Sequence, residues 1–134
     1  MKADAKSIVF LCDEKKLKIP FFQRPYVWKY ENVINLLNDL FRCEGKHFIG
    51  SVLIKKSNKN PEALIIDGQQ RLTTLSILIK VLHEVLSVNG FNYESNETAL
   101  KSLFVCENMN DYTIKITNSY LNISQFQEVI GDLL

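Results

Sequence analysis

The stretch Leu64-Ile65-Ile66-Asp67-Gly68-Gln69-Gln70-Arg71 limits what this chain can fold into more than any other. A β-type apolar run ends on Asp67-Gly68, a turn dipeptide, and a helical stripe of Leu72, Leu75, Ile79, Leu82 and Leu86 follows at once. Strand, tight turn and helix start are thus joined within a few residues. The helix is expected from Gln69 to about Ser87. Ile77, Leu78, Val81 and Val85 lie off the stripe and make it apolar on most of its circumference, which predicts a buried central helix.

The other elements arrange themselves around that unit. Val33, Leu36, Leu37, Leu40 and Phe41 follow the i, i+3, i+4, i+7, i+8 spacing and predict an amphipathic helix over 30–43. His47 to Ile54, rich in aromatic and β-branched residues, and Ala63 to Ile66 suggest an antiparallel hairpin joined by a long polar loop. A weaker helix is expected over 97–106 and a strand over 113–117. Residues 1–18 read as a short leading segment closed by Lys15, Lys16 and Lys18, a solvated basic run. Ser124-Gln-Phe-Gln127 has capping-box spacing before Val129, Ile130 and Leu133, so a new helix opens just before Leu134 and a domain truncated at its C-terminus is expected. The 134 residues suit one domain over 1–134, of α+β class, with a small mixed sheet and a buried central helix.

Composition removes several function classes. Sixteen Lys/Arg against fifteen Asp/Glu leave no global excess of charge, although residues 1–60 carry 12 basic against 6 acidic side chains and residues 61–134 carry 4 against 9. Cys12, Cys43 and Cys106 are distant and odd in number, which fits neither a disulfide framework nor paired zinc ligands, and a reducing, cytoplasmic setting is expected. No stretch approaches the roughly 18 apolar residues of a membrane span. The chain has no G-x-x-x-x-G-K-[ST] loop, no G-x-G-x-x-G, no H-E-x-x-H and no G-x-S-x-G.

Two segments carry chemistry. The first turn of a helix has unpaired N–H groups and the positive end of the dipole, so the turn at 67–71 suits an anion such as a phosphate. Gly68 lacks the Cβ that would hold a phosphate off the backbone, and Arg71 is placed to clamp it in bidentate fashion. Gln69 and Gln70 suit orienting a water, a ribose or a base edge, and Asp67 suits holding a divalent cation or acting as a base. The same residues admit a plainer reading, in which Asp67 caps the helix, Gly68 makes the turn and the glutamines are solvated. The second segment is Ile19-Pro20-Phe21-Phe22-Gln23-Arg24-Pro25-Tyr26-Val27-Trp28, held extended by its prolines. It presents Gln23 and Arg24, with Arg24 a candidate for a phosphate and Tyr26 or Trp28 for stacking on a base. Aromatic residues beside prolines are more often core anchors, and Phe21, Phe22 and Trp28 taken alone are read that way.

Ile19-Pro-x-x-Gln23-Arg24-Pro25-Tyr26-x-Trp28, a Leu-Leu-x-Asp-Leu helix ending near Leu40, His47-Phe-Ile-Gly50-Ser51 and Ile66-Asp67-Gly68-Gln69-Gln70-Arg71-Leu-Thr-Thr-Leu occur in order over residues 19–86. Together they resemble the DGQQR-motif family of domains of unknown function, typified by the GmrS half of GmrSD. The resemblance implies a ParB/sulfiredoxin-like core and an NTP-binding and NTP-hydrolysing role in a DNA restriction and phage-defence system. It implies a phosphate site of Gln23, Arg24, Gly68, Gln69 and Arg71, with Asp67, Gln70 and Arg71 as catalytic candidates and Asp67 as the ligand of Mg²⁺. The partners implied are a nucleoside triphosphate, DNA, an HNH-type nuclease domain in the full-length protein or a partner chain, and a second copy in a homodimer. The alternative is a ParB-like DNA-binding or regulatory module without catalysis. The only histidines are His47 and His83, so this chain lacks an HNH pattern, and structural roles are expected for both.

Overall fold

The computed structural model describes residues 2–8, 10, 16–20, 22–90, 105–108, 111–114 and 116–117, with Pro61, His83, Ser87 and the residues beyond 104 described by backbone alone. A four-stranded mixed sheet has the order β2-β3-β1-β6, with β1 at Lys16–Lys18, β2 at Leu53–Ser57, β3 at Asn60–Asp67 and β6 at Ile116–Thr117. β1 runs parallel to both β3 and β6, while β2 and β3 form an antiparallel hairpin. Helices α1 (Tyr30–Arg42) and α2 (Gln69–Val88) and a separate hairpin, β4 (Val105–Asn108) with β5 (Asp111–Ile114), complete the described elements. The α+β class and the mixed sheet are as expected from the sequence. No helix among the described residues is long and apolar enough to cross a membrane.

Strand alternation sorts the sheet into two faces. Leu17, Ala63 and Ile65 point to one side, where with Ile19 and Leu72 they form the buried cluster, edged by Ile8, Phe10, Val52, Ile54, Ile77 and Ile79. Each fully buried aliphatic side chain here contributes about 1.5–3 kcal/mol. On the other side Lys18 and Lys55 flank Leu64 in one row, because both pair with it across the sheet.

Four expectations change. Lys16–Lys18, read as part of a leading segment, is an inner strand of the sheet. One apolar residue between two lysines has no visible period, and only its neighbours β3 and β6 make it a strand. Residues 47–52 are not strand. Pairing starts at Leu53 and runs through the polar cluster to Ser57↔Asn60, so the expected long loop is a two-residue turn. Lys59 N–H donates to Ser57 Oγ (3.2 Å) and Glu62 N–H to Asn60 Oδ1 (2.9 Å) around that turn. The polar residues are tolerated because β2 is the sheet edge, where exposed lysines also oppose edge-to-edge association.

The central helix is buried only in its first three turns. Leu72, Leu75 and Ser76 are enclosed, whereas Val81, Leu82 and Val85 are exposed and Val88 is 87% exposed. The buried hydroxyls are satisfied along the helix, Thr74 Oγ1 donating to Gln70 O and Ser76 Oγ to Leu72 O, both at 2.8 Å. Finally, Val105 and Cys106, expected at the end of a helix, lie in β4, and the strand expected over 113–117 is shared between β5 and β6. The rest of the helix expected over 97–106, and the helix expected to open at Ser124, lie outside the described residues. On α1 the stripe holds through Leu40, but Phe41 is 80% exposed. Lys29 N–H donates to Asn32 Oδ1 (2.9 Å) at the start of α1.

Candidate functional site

The turn between β3 and α2 opens a pocket of about 220 Å³ lined by Gln23, Arg24, Trp28, Ser51, Asp67, Gly68, Gln69, Gln70 and Arg71. Every site residue expected from the sequence except the stacking candidate Tyr26 lines it, although Arg24 and Arg71 lie 47 positions apart in the chain. The two guanidiniums, the single carboxylate of Asp67 and the N-terminus of α2 make it a locally positive concavity. In the first turn of α2, Leu72 N–H donates to Gly68 O (3.0 Å), which leaves the N–H groups of Gln69, Gln70 and Arg71 without an intrahelical acceptor.

The proline-held segment reaches the turn through the glutamines. Gln70 Oε1 accepts from Val27 N–H (2.8 Å) and Trp28 N–H (3.3 Å), and its Nε2 donates to Pro25 O (2.9 Å). Gln69 Nε2 donates to Arg24 O (2.9 Å), and Gln23 Nε2 donates to Ile66 O at the end of β3 (2.8 Å). Tyr26 Oη and Thr74 Oγ1 are hydrogen-bonded at 2.8 Å. Gln69 and Gln70 are 8% and 9% exposed, so the reading in which they are solvated does not hold. With both lone pairs of its oxygen filled, Gln70 holds the 25–28 backbone in place. Gln69 Oε1 is buried without a partner among the described residues.

Gly68 has a second physical reason to be glycine. Its φ is +89°, and a Cβ there would meet Ser51 O and Val52 Cγ2 at 3.0 Å and Val52 Cα at 3.2 Å. The missing side chain lets the turn pass the 51–52 backbone, in a left-handed conformation that other residues adopt at a cost. Asp67 Oδ1 accepts from Gly68 N–H (2.8 Å), which ties the carboxylate to the turn and leaves its second oxygen at the exposed pocket wall. Arg71 Nη1 donates to Ser51 O at 3.0 Å. Ser51 and Gly50 were not singled out for the site by spacing; their signal was the small-residue pair closing the His47-Phe-Ile run.

The aromatic residues divide. Trp28 is half-buried and lines the pocket, Tyr26 is spent on Thr74, and Phe22 is 66% exposed, so it is not a core anchor. Phe21 lies outside the described residues, as does the His83 side chain, and His47 is exposed outside any strand.

For a divalent cation the donor set is narrow. Among the described residues no three His, Cys, Asp or Glu side chains gather, and Asp67 is the one carboxylate at the pocket. That set does not suit a resident metal held by protein alone. It does suit Mg²⁺, which is commonly held by one or two carboxylates together with substrate phosphates.

No curated protein sequence matches this chain. The model of the GmrSD restriction endonuclease N-terminal domain matches residues 8–132, nearly the whole sequence and every residue of the pocket. The chain therefore belongs to the family of GmrSD restriction endonuclease N-terminal domains.

Proposed function

We propose that this chain is the nucleotide-binding and nucleotide-hydrolysing domain of a DNA restriction and phage-defence protein, with a ParB/sulfiredoxin-like core. The observation that carries the reading is the convergence of Arg24, Arg71, Asp67 and the α2 N-terminus on one pocket. The free N–H groups of Gln69, Gln70 and Arg71 bind phosphate oxygens, and the Arg71 guanidinium adds a charged fork beside them. Asp67 orients the attacking water and would also hold Mg²⁺ brought with the nucleotide, which would supply charge neutralisation at the phosphates. Water adds to the terminal phosphorus as the bond to the bridging oxygen breaks, its surplus proton leaving with the released phosphate, and Arg24 offsets the charge on the departing diphosphate. Gln69 and Gln70 act as positioning residues, since their amides fasten the segment that carries Arg24 and Trp28.

Steady-state turnover of GTP and ATP with Mg²⁺ tests the reading. Asp67→Ala and Arg71→Ala should abolish turnover while circular dichroism shows the fold intact, and full turnover in both purified variants removes the proposal. In this reading the cutting chemistry belongs to an HNH-type nuclease domain of the full-length protein or a partner chain, the setting is cytoplasmic, and a homodimer is the unit to look for by light scattering.

The row of Lys18 and Lys55 on the outer sheet face favours a second reading, a DNA-binding module that places a backbone phosphate at the same turn. A steep fall of duplex affinity with salt, in the absence of nucleotide, supports that reading, and no binding supports the first.

A further inference from the structure

The guanidinium of Arg71 lies directly over Gly50. A methyl group built on Gly50 would stand 2.5 Å from Arg71 Cζ, 2.7 Å from Nη1 and 2.8 Å from Nη2. The whole planar head of the side chain, rather than one atom, thus occupies the volume that any other residue at this position would fill. The neighbouring carbonyl, Ser51 O, takes one N–H from Nη1 at 3.0 Å. Gly50 has φ +106°, and its bare Cα and the Ser51 carbonyl face the same guanidinium.

We infer that Gly50 and Ser51 form a backbone cradle that positions Arg71 for its phosphate, making Gly50 a positioning residue of the site. The inference rests on the nucleotide reading above for the identity of the ligand, and on geometry alone for the cradle. A guanidinium has five N–H donors in a rigid fork. Fixing one on Ser51 O removes rotamer freedom from a long side chain and leaves the other donors for the ligand, so ordering is done before the anion arrives. The neighbour that Gly50 excludes is the end of a flexible side chain. The collision in Gly50→Ala is therefore relieved by Arg71 swinging away, while the positive φ adds a backbone strain that Gly45→Ala shares. Gly68 differs, because there the obstructing atoms are largely backbone.

Gly45 supplies the control. It has φ +99°, nearly that of Gly50, and no atom within 4 Å of where a Cβ would stand. Gly45→Ala takes on the same kind of backbone strain without touching Arg71. The full chain is compared with Gly45→Ala, Gly50→Ala, Arg71→Ala and the double variant Gly50→Ala with Arg71→Ala.

Two measurements separate the cradle from the ligand. In ligand-free protein, the Arg71 side-chain N–H resonance, assigned by its loss in Arg71→Ala, is expected to be exchange-protected in wild type and in Gly45→Ala, and averaged in Gly50→Ala. An unchanged resonance in Gly50→Ala overturns the cradle. Titration of MgGTP and MgATP is followed by Trp28, the single tryptophan and a pocket residue. Gly50→Ala should weaken binding by about tenfold or more, the scale of a lost charge-assisted hydrogen bond, with Gly45→Ala within about twofold of wild type. The double variant should bind no worse than Arg71→Ala alone, since both changes remove one interaction. Wild-type affinity in Gly50→Ala, or losses that multiply in the double variant, overturns the positioning role. If Gly50→Ala fails to fold, its stability is read against the double variant: recovery when Arg71 is truncated supports the collision, and no recovery refutes it. Wild-type protein that binds neither nucleotide overturns the nucleotide reading and the phosphate role with it, while the ligand-free resonance still decides the cradle.

Discussion

Replacing Gln70 by leucine isolates the job of one buried amide. Leucine matches glutamine closely in helix propensity, so α2 itself loses little. Three hydrogen bonds vanish, those from Val27 N–H at 2.8 Å and Trp28 N–H at 3.3 Å and that to Pro25 O at 2.9 Å. A neutral hydrogen bond of good geometry is worth about 1 kcal/mol net, and the long one less. All three are part-buried, so some of the released backbone groups regain water. The loss is therefore set by the two short bonds and comes to about 2 kcal/mol. That is about a thirtyfold change in the ratio of folded to unfolded chain. Urea unfolding followed by circular dichroism should show the midpoint falling with an unchanged slope. Trp28 emission in native buffer should shift to the red as the 25–28 backbone loosens and the ring gains water. A midpoint at the wild-type value together with unshifted emission would show that Gln70 does not hold this segment, and the positioning role assigned to it would fall.

The remaining predictions concern the core, the turn and the hydroxyl pair. Ile65→Ala empties a fully buried position of β3 in the cluster with Leu17, Ile19, Ala63 and Leu72 and should cost about 2–5 kcal/mol in the same unfolding assay; a loss below 1 kcal/mol would mean that the cluster is not the core. Gly68→Ala must adopt a left-handed φ against the 51–52 backbone and should lower stability by more than 1 kcal/mol, whereas Gly45→Ala, with open space around it, should lose less. Equal losses in the two would remove the close approach as the reason for Gly68. Tyr26→Phe deletes a hydrogen bond whose partner, Thr74, keeps its bond to Gln70 O, so about 1 kcal/mol or less is expected, and a loss of several kcal/mol would point to a larger role for that hydroxyl.

Much of the site was legible because its signals are local. Asp67-Gly68 marks a turn by residue type, the stripe from Leu72 marks a helix by period, and their junction is by itself an anion-binding geometry. The proline-held 20–28 segment could likewise be read as rigid. What could not be read was how the two segments meet, or that Gln69 and Gln70 spend their amides on the segment's backbone. Those bonds join residues 42 to 45 positions apart and leave no trace in either local pattern.

Local sequence alone settled the turn at Asp67-Gly68, where the two described helices begin, and which residue types stand at that turn, because each depends on backbone preference or on a repeat a few residues long. Tertiary structure alone decided that Lys16–Lys18 is an inner strand, that the far half of α2 is exposed, that Gly68 clears a path for Ser51 and Val52, and that Gly50 lies under Arg71. A three-residue strand exists only through its neighbours, burial depends on what packs alongside, and the space a glycine leaves is defined by atoms distant in the chain. The residue types at the pocket were thus written in the order of the chain, but their arrangement comes from contacts that only folding creates.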